Sequence, residues 1–194
     1  MPKIAILLDG GHLRVQARLA GKAYDPDFIA AFAAKCAAPD ETVFRVFYYD
    51  CAPFSGKRQM PVTGEYREFK KSDDWLKALA KKDLFAVRLG VLKFRGFKPK
   101  KSPLDPSRPS DEDFDPILEQ KGVDLRIGLD IATLCQNRAV ERVALLTNDT
   151  DLAPAMKHAR IAGLQVVLLQ SPAAHASYEL VRHADFLRRI DAWP

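Results

Sequence analysis

No stretch of this 194-residue chain approaches the roughly 20 consecutive apolar residues that cross a bilayer, and its apolar start is too short for a secretory signal. A helical membrane protein is excluded, and a soluble cytoplasmic one is expected. Cysteine is scarce: Cys36, Cys51 and Cys135 are odd in number, far apart and without CxxC or histidine companions. That excludes a disulfide scaffold and a zinc ribbon, and fits reduced thiols. His158, His175 and His183 follow no metal-ligand spacing, and Trp75 and Trp193 read as packing residues. No GxGxxG follows the first apolar run, and no Walker lysine motif or GxSxG elbow is present, so dinucleotide, P-loop and serine-hydrolase chemistries lack their signatures. Asp9 has no acid two residues on, against phosphatases with an aspartyl nucleophile. No internal repeat is apparent.

What is present is a chain of 47% hydrophobic content, enough for one substantial core. The expectation is one domain over 1–194, with a basic loop insertion around 95–116. The net charge of +5 leans towards a polyanionic partner.

Strand and helix signals alternate. Ile4 to Leu8 is an apolar strand ending at Asp9-Gly10-Gly11-His12, and Val143 to Thr147 is another, ending at Asn148-Asp149-Thr150-Asp151. Helical spacing appears over Asp27 to Ala37, about Tyr66 to Lys82, Asp124 to Asn137, Asp151 to Ala162 and about Ala173 to His183. Extended segments are expected at Val43 to Tyr49, Phe85 to Phe94 and Gln165 to Leu169, and the Pro- and Lys-rich run from Arg95 to Pro116 reads as a loop. The alternation predicts an α/β fold with a mainly parallel sheet covered on both faces.

In such sheets ligands bind beyond the carboxyl ends of the strands. Asp9 and Asp149 lie at strand ends, Asp151 follows Asp149 by two residues, and Asp124 opens the helix that feeds the second strand. Neighbouring strands would bring all four acids to one point, where they repel unless a cation holds them ionised. A hard divalent cation, Mg²⁺ or Mn²⁺, suits oxygen ligands and would support hydrolysis of a phosphodiester. Each acid also has a plainer role open to it. Asp151 suits an N-cap, Asp149 an Asx-turn and Asp124 the positive end of a helix dipole. Asp9 fits such a role less well, because Gly10 and Gly11 let backbone approach a ligand there.

Asp9-Gly-Gly-His12, Lys121-Gly-Val-Asp124 with Asp130 beyond it, and Thr147-Asn-Asp-Thr-Asp151 followed by Leu152-Ala-Pro-Ala-Met156 resemble, in order, the signature of the NYN domain, of the LabA-like branch of the PIN-like nuclease superfamily. The resemblance spans nearly the whole chain. It implies a three-layer α/β/α sandwich and a metal-dependent ribonuclease centre in which Asp9, Asp124, Asp149 and Asp151 hold metal and activate water. His12 stands where the family often has Asn, and a protonated imidazole would add positive charge beside the metal. Asp130 matches the family too, but six residues along a helix place it roughly 120° around from Asp124, so it is expected to support rather than ligate. Lys121 either steers a phosphate towards the acids, as the resemblance implies, or is an exposed lysine before a helix; Thr147 and Asn148 either orient acids and water or serve as turn residues.

Lys93, Arg95, Lys98, Lys100 and Lys101, interleaved with Phe94 and Phe97, are what single-stranded nucleic acid requires, or else a solvated loop with two phenylalanines packed inward. The expected function is a Mg²⁺- or Mn²⁺-dependent endoribonuclease acting on single-stranded or structured RNA. The alternatives are an RNA-binding regulatory protein of the same fold with little or no turnover, and a nucleotide phosphohydrolase. No membrane partner is expected, and a homo-oligomer is left open by the exposed faces of such a sheet.

Overall fold

The computed structural model describes residues 1–101 and 109–194. Its main sheet has seven strands in the order β6-β5-β2-β1-β7-β8-β9. These are β1 (Lys3–Asp9), β2 (Thr42–Cys51), β5 (Phe85–Pro99), β6 (Phe114–Lys121), β7 (Arg142–Leu146), β8 (Gln165–Gln170) and β9 (Phe186–Arg189). Every pairing is parallel except β5 with β6. A separate antiparallel hairpin is formed by β3 (Gly56–Gln59) and β4 (Tyr66–Phe69).

The period-2 alternation of β1 sorts the core into two halves. Ile4, Ile6 and Leu8 face α1 (Gly10–Leu19), α2 (Pro26–Lys35) and α3 (Asp74–Ala80), through Leu13, Phe32 and Leu79 among others. Ala5 and Leu7 face α4 (Val123–Asn137), α5 (Ala153–Ile161) and α6 (Tyr178–Val181), through Ile127, Met156 and Leu180. This is the three-layer sandwich expected, and both faces are dry because parallel strands need cover on each side.

Chain order explains where a site can form. From β1 the chain moves outward through β2 and β5, then returns to lay β7, β8 and β9 on the other side of β1. The carboxyl ends of β1 and β7 therefore flank the point where strand order reverses, and loops leaving them diverge to open a crevice.

Three segments differ from the sequence expectation. The helix read over 66–82 is a strand at Tyr66–Phe69 and a helix only from Asp74, because Phe69 is drawn into an aromatic cluster with Phe54 and Phe97. The helix read over 173–183 shrinks to Tyr178–Val181, started by the Ser177 hydroxyl, which accepts from the amide of Glu179. The loop read over 95–116 is mostly a hairpin: β5 continues nine residues past Gly90, which pairs with the end of β2, and β6 returns alongside it. Residues 102–108, at the centre of that expected loop, lie outside the described residues. Strands β3 and β9 and helix α1 have no clear signal in the sequence.

Candidate functional site

Asp9 ends β1 and caps α1, its Oδ1 accepting from the amide of His12 at 3.0 Å. Thr147 directly follows β7, is buried, and donates its hydroxyl to Asp9 Oδ2 at 3.3 Å. The same hydroxyl accepts the amide of Asp149 at 3.1 Å. Asp149 Oδ1 in turn accepts the amide of Asp151 at 2.9 Å, closing an Asx-turn. One chain of hydrogen bonds thus runs from the end of β1 across the strand-order reversal to the start of α5. Capping and site-building are not rivals here, since one oxygen of each carboxylate serves the backbone.

Asp124 approaches from the start of α4. Its carboxyl is raised from the ordinary aspartate value, first by partial desolvation and then by the negative charges of Asp149, Asp9 and Asp151. Its residue is exposed to solvent, so the repulsion is the component that a bound cation would reverse. All four aspartates therefore share one electrostatic neighbourhood. Among the described residues, however, no group of three or more His, Cys, Asp or Glu is gathered closely enough to form a ready coordination shell.

His12 begins α1 beside Asp9. Burial pushes its imidazole below the ordinary value, against the opposing pull of the Asp9 carboxylate. The neutral form is favoured, so His12 adds less positive charge than a protonated imidazole would. Asp130 is turned to other partners: it accepts from Tyr49 Oη at 2.9 Å and Arg88 Nε at 3.1 Å, anchoring α4 to β2 and β5. Asn148 Oδ1 accepts the amide of Ser177 at 2.8 Å and so holds the segment leading to α6. Lys121 ends β6 with its ammonium paired to Glu119, which also binds Arg95.

The basic segment sits on the projecting β5–β6 arm. Lys98 lies opposite Asp115 and Lys100 stands 3.9 Å from it, while Lys98, Lys100 and Lys101 are all exposed. At about 3.3 Å per residue, Lys98 is roughly 25 Å along the strand from Gly90, so these lysines stand far out on the arm from the carboxyl edge of the sheet. Phe94 and Phe97 pack edge to face against one another at 5.0 Å and against Phe54 and Phe69. Arg58 covers the rings of Phe54 and Phe94. The phenylalanines join the two hairpins, as the inward-packed reading had it.

Sequence reasoning overlooked Asp50. It lies one residue before the end of β2, much as Asp9 ends β1, so the same signal of an apolar strand closing on aspartate was available. It faces the other layer, buried, where it pairs with Arg14, accepts from Tyr48 Oη at 2.9 Å and accepts from the amide of Cys51 at 2.7 Å. Its carboxylate is fully engaged in holding α1 to the sheet.

The NYN domain family matches residues 3–191. The chain belongs to the NYN domain family. It is thereby a member of the PIN-like superfamily, with a nuclease-like fold, and nucleases of that kind generally depend on a divalent metal. A crystal structure of a Vibrio parahaemolyticus protein of unknown function is similar to this NYN chain at a TM-score of 0.54 and 17% identity, over 98% of this chain and 93% of that one. That likeness concerns the fold alone. No curated protein is similar enough in sequence to be matched. Among the described residues, no helix is long and apolar enough to cross a membrane.

Proposed function

We propose that this chain is a Mg²⁺- or Mn²⁺-dependent endoribonuclease that cuts single-stranded or structured RNA. The observation that carries the reading is the hydrogen-bonded path Asp9–Thr147–Asp149 at the reversal of strand order, with Asp124 repelled by the same acids. The donor set fits a hard cation: it offers carboxylate oxygens only, and their mutual repulsion is what such an ion relieves. Mg²⁺ keeps several waters and needs only one or two carboxylates plus substrate phosphate, so a tight protein shell is not a prerequisite.

Asp9 and Asp149 would hold the ion from the strand ends, with Asp124 and Asp151 closing on it from the two helix starts. When bound, it supplies Lewis-acid polarisation of the phosphodiester and a water of lowered pKa. Thr147 orients Asp9 and positions the loop that carries Asp149. His12, next to Asp9, would donate a ring N–H to the phosphate. Lys121 adds positive charge just before Asp124, and Lys98, Lys100 and Lys101 hold the RNA backbone at a distance.

A non-cleaving RNA-binding protein is the second reading, favoured by the lack of a ready coordination shell among the described residues. Labelled RNA incubated with wild type and Asp149→Asn, in Mg²⁺, Mn²⁺ or EDTA, separates the two. Cleavage by wild type only, and only with metal, is expected, with RNA binding retained in the variant. Intact RNA in every lane, with equal binding by both proteins, overturns the enzyme.

A further inference from the structure

On the opposite layer of the sheet from the acids, the carboxyl edge opens into a cavity of about 620 Å³, lined by Arg14, Arg18, Lys22, Tyr24, Trp75 and Gln120 among others. The volume is that of a small-ligand site, about 300–1,000 Å³. Three cations line it against one carboxylate, Asp50, and that carboxylate is occupied by Arg14, Tyr48 and its own neighbour's amide. The excess is therefore positive, and it rests on Arg18 and Lys22, both exposed.

The pocket is built, not incidental. Arg14 is pinned by Asp50, and its guanidinium lies 5.5 Å from the Tyr24 ring centre and 5.8 Å from that of Trp75. Tyr24 and Trp75 meet edge to face, Trp75 meets Tyr48 in the same way, and the Tyr24 hydroxyl stands 2.7 Å from that of Tyr48 while donating to the Gly10 carbonyl at 3.1 Å. A planar cation fixed over aromatic rings is a surface on which a nucleobase stacks. One turn further along α1, Arg18 supplies charge for a phosphate, and Lys22 follows it just past the helix end.

The cavity also adjoins the acids. A Cβ at Gly11 would lie 3.3 Å from Asp9 Oδ1 and 3.3 Å from Gln120 Oε1, so the Asp9 carboxylate and a side chain that lines the cavity flank the same glycine.

We propose that this cavity seats one nucleotide of the RNA strand beside the scissile bond, its base laid against Arg14 and Trp75 and its phosphate held by Arg18 and Lys22. The assignment rests on the ribonuclease reading for the identity of the strand, but its binding chemistry is independent of cleavage.

Trp75 and Trp193 are the chain's two tryptophans, so a Trp193→Phe protein reports from Trp75 alone. In EDTA, adenosine 5′-monophosphate should quench that fluorescence saturably, with adenosine and inorganic phosphate each weaker by about ten-fold or more. The double variant Arg18→Glu, Lys22→Glu should weaken the monophosphate by a similar factor, about ten-fold, at an unchanged melting temperature. The monophosphate should also displace a labelled octa-adenylate. No saturable quench, an unaltered affinity in the double variant, or failure to compete with the octamer overturns the proposal. Competition that persists in a protein unable to cut RNA with Mg²⁺ or Mn²⁺ keeps the nucleotide seat and removes the nuclease. Cleavage without any response to the monophosphate does the reverse.

Discussion

The Thr147 hydroxyl lies 3.3 Å from Asp9 Oδ2, and through it two acids 140 residues apart in the chain, Asp9 and Asp149, share one buried group. Such outer partners are worth about 10–100-fold in activity at metal sites. Thr147→Val keeps the shape but removes both hydrogen bonds. RNA cleavage is expected to fall in that range, while Thr147→Ser cuts nearly as wild type. Equal rates for the valine variant and wild type would remove Thr147 from the site.

Asp124 and Asp130 should separate cleanly. Asp124→Asn removes a carboxylate that its neighbours repel, so it is expected to abolish cleavage while melting no lower than wild type. Asp130→Asn loosens the contacts with Tyr49 and Arg88, costing about 1–3 kcal/mol of stability, with cleavage largely kept. Thermal melts beside cleavage rates test the pair, and a destabilised Asp124→Asn would contradict the shared-charge geometry.

At the opposite edge of the sheet, Glu41 sets an acid limit. Its side chain has 0% exposure and is gripped by Arg188 through both oxygens at 2.8 Å and by Arg142 at 2.9 Å. Desolvation raises its pKa, but the two guanidinium groups and the Ala38 amide outweigh it and bring it down to about 2 from 4.5. A depressed carboxylate stabilises the fold above its unfolded value and loses that contribution as pH falls from about 4.5 towards 2. The contribution is on the order of 2–3 kcal/mol. Urea melts should show wild type above Glu41→Gln at pH 6, with the gap narrowing below pH 4.5 and closing only as pH falls past about 2. A gap independent of pH would assign the effect to packing.

Two glycines should respond with opposite sign to alanine. A Cβ at Gly10 would fall 2.4 Å from the Tyr48 ring and 2.7 Å from the Tyr49 carbonyl, so Gly10→Ala is expected to cost about 1–3 kcal/mol. At Gly128, inside α4, the nearest atom is the Ala155 Cβ at 4.0 Å. Gly128→Ala should stabilise by about 0.4–1 kcal/mol through lost freedom of the unfolded chain. Denaturant midpoints decide both.

The buried strands were legible because an apolar run such as Ile4 to Leu8, closed by an aspartate and two glycines, is too short for a buried helix, and the ends of such runs placed Asp9 and Asp149. Ordering by β-α alternation then predicted the sandwich. What escaped was governed by tertiary contact. Tyr66–Phe69 has helical spacing in its neighbourhood, but its ring partners Phe54 and Phe97 are remote in sequence and pull it into a hairpin. Asp50 carries the same strand-end signature as Asp9, and only the layer it faces decides that it binds Arg14 instead of joining the acids. Helix α1 gave little apolar period, since its cationic face, Arg14 and Arg18, lines the cavity.

Asp9 ends β1, and Asp149 and Asp151 lie in the short segment that follows β7, both strands being paired on each side. The fourth has another mooring. Asp124 follows the antiparallel return strand of the projecting arm after a single swivel, Gly122, in the left-handed conformation at φ 77°. Two parts of the sheet therefore carry the acids: the central strands β1 and β7 precede Asp9, Asp149 and Asp151, while the outermost strand of the arm precedes Asp124.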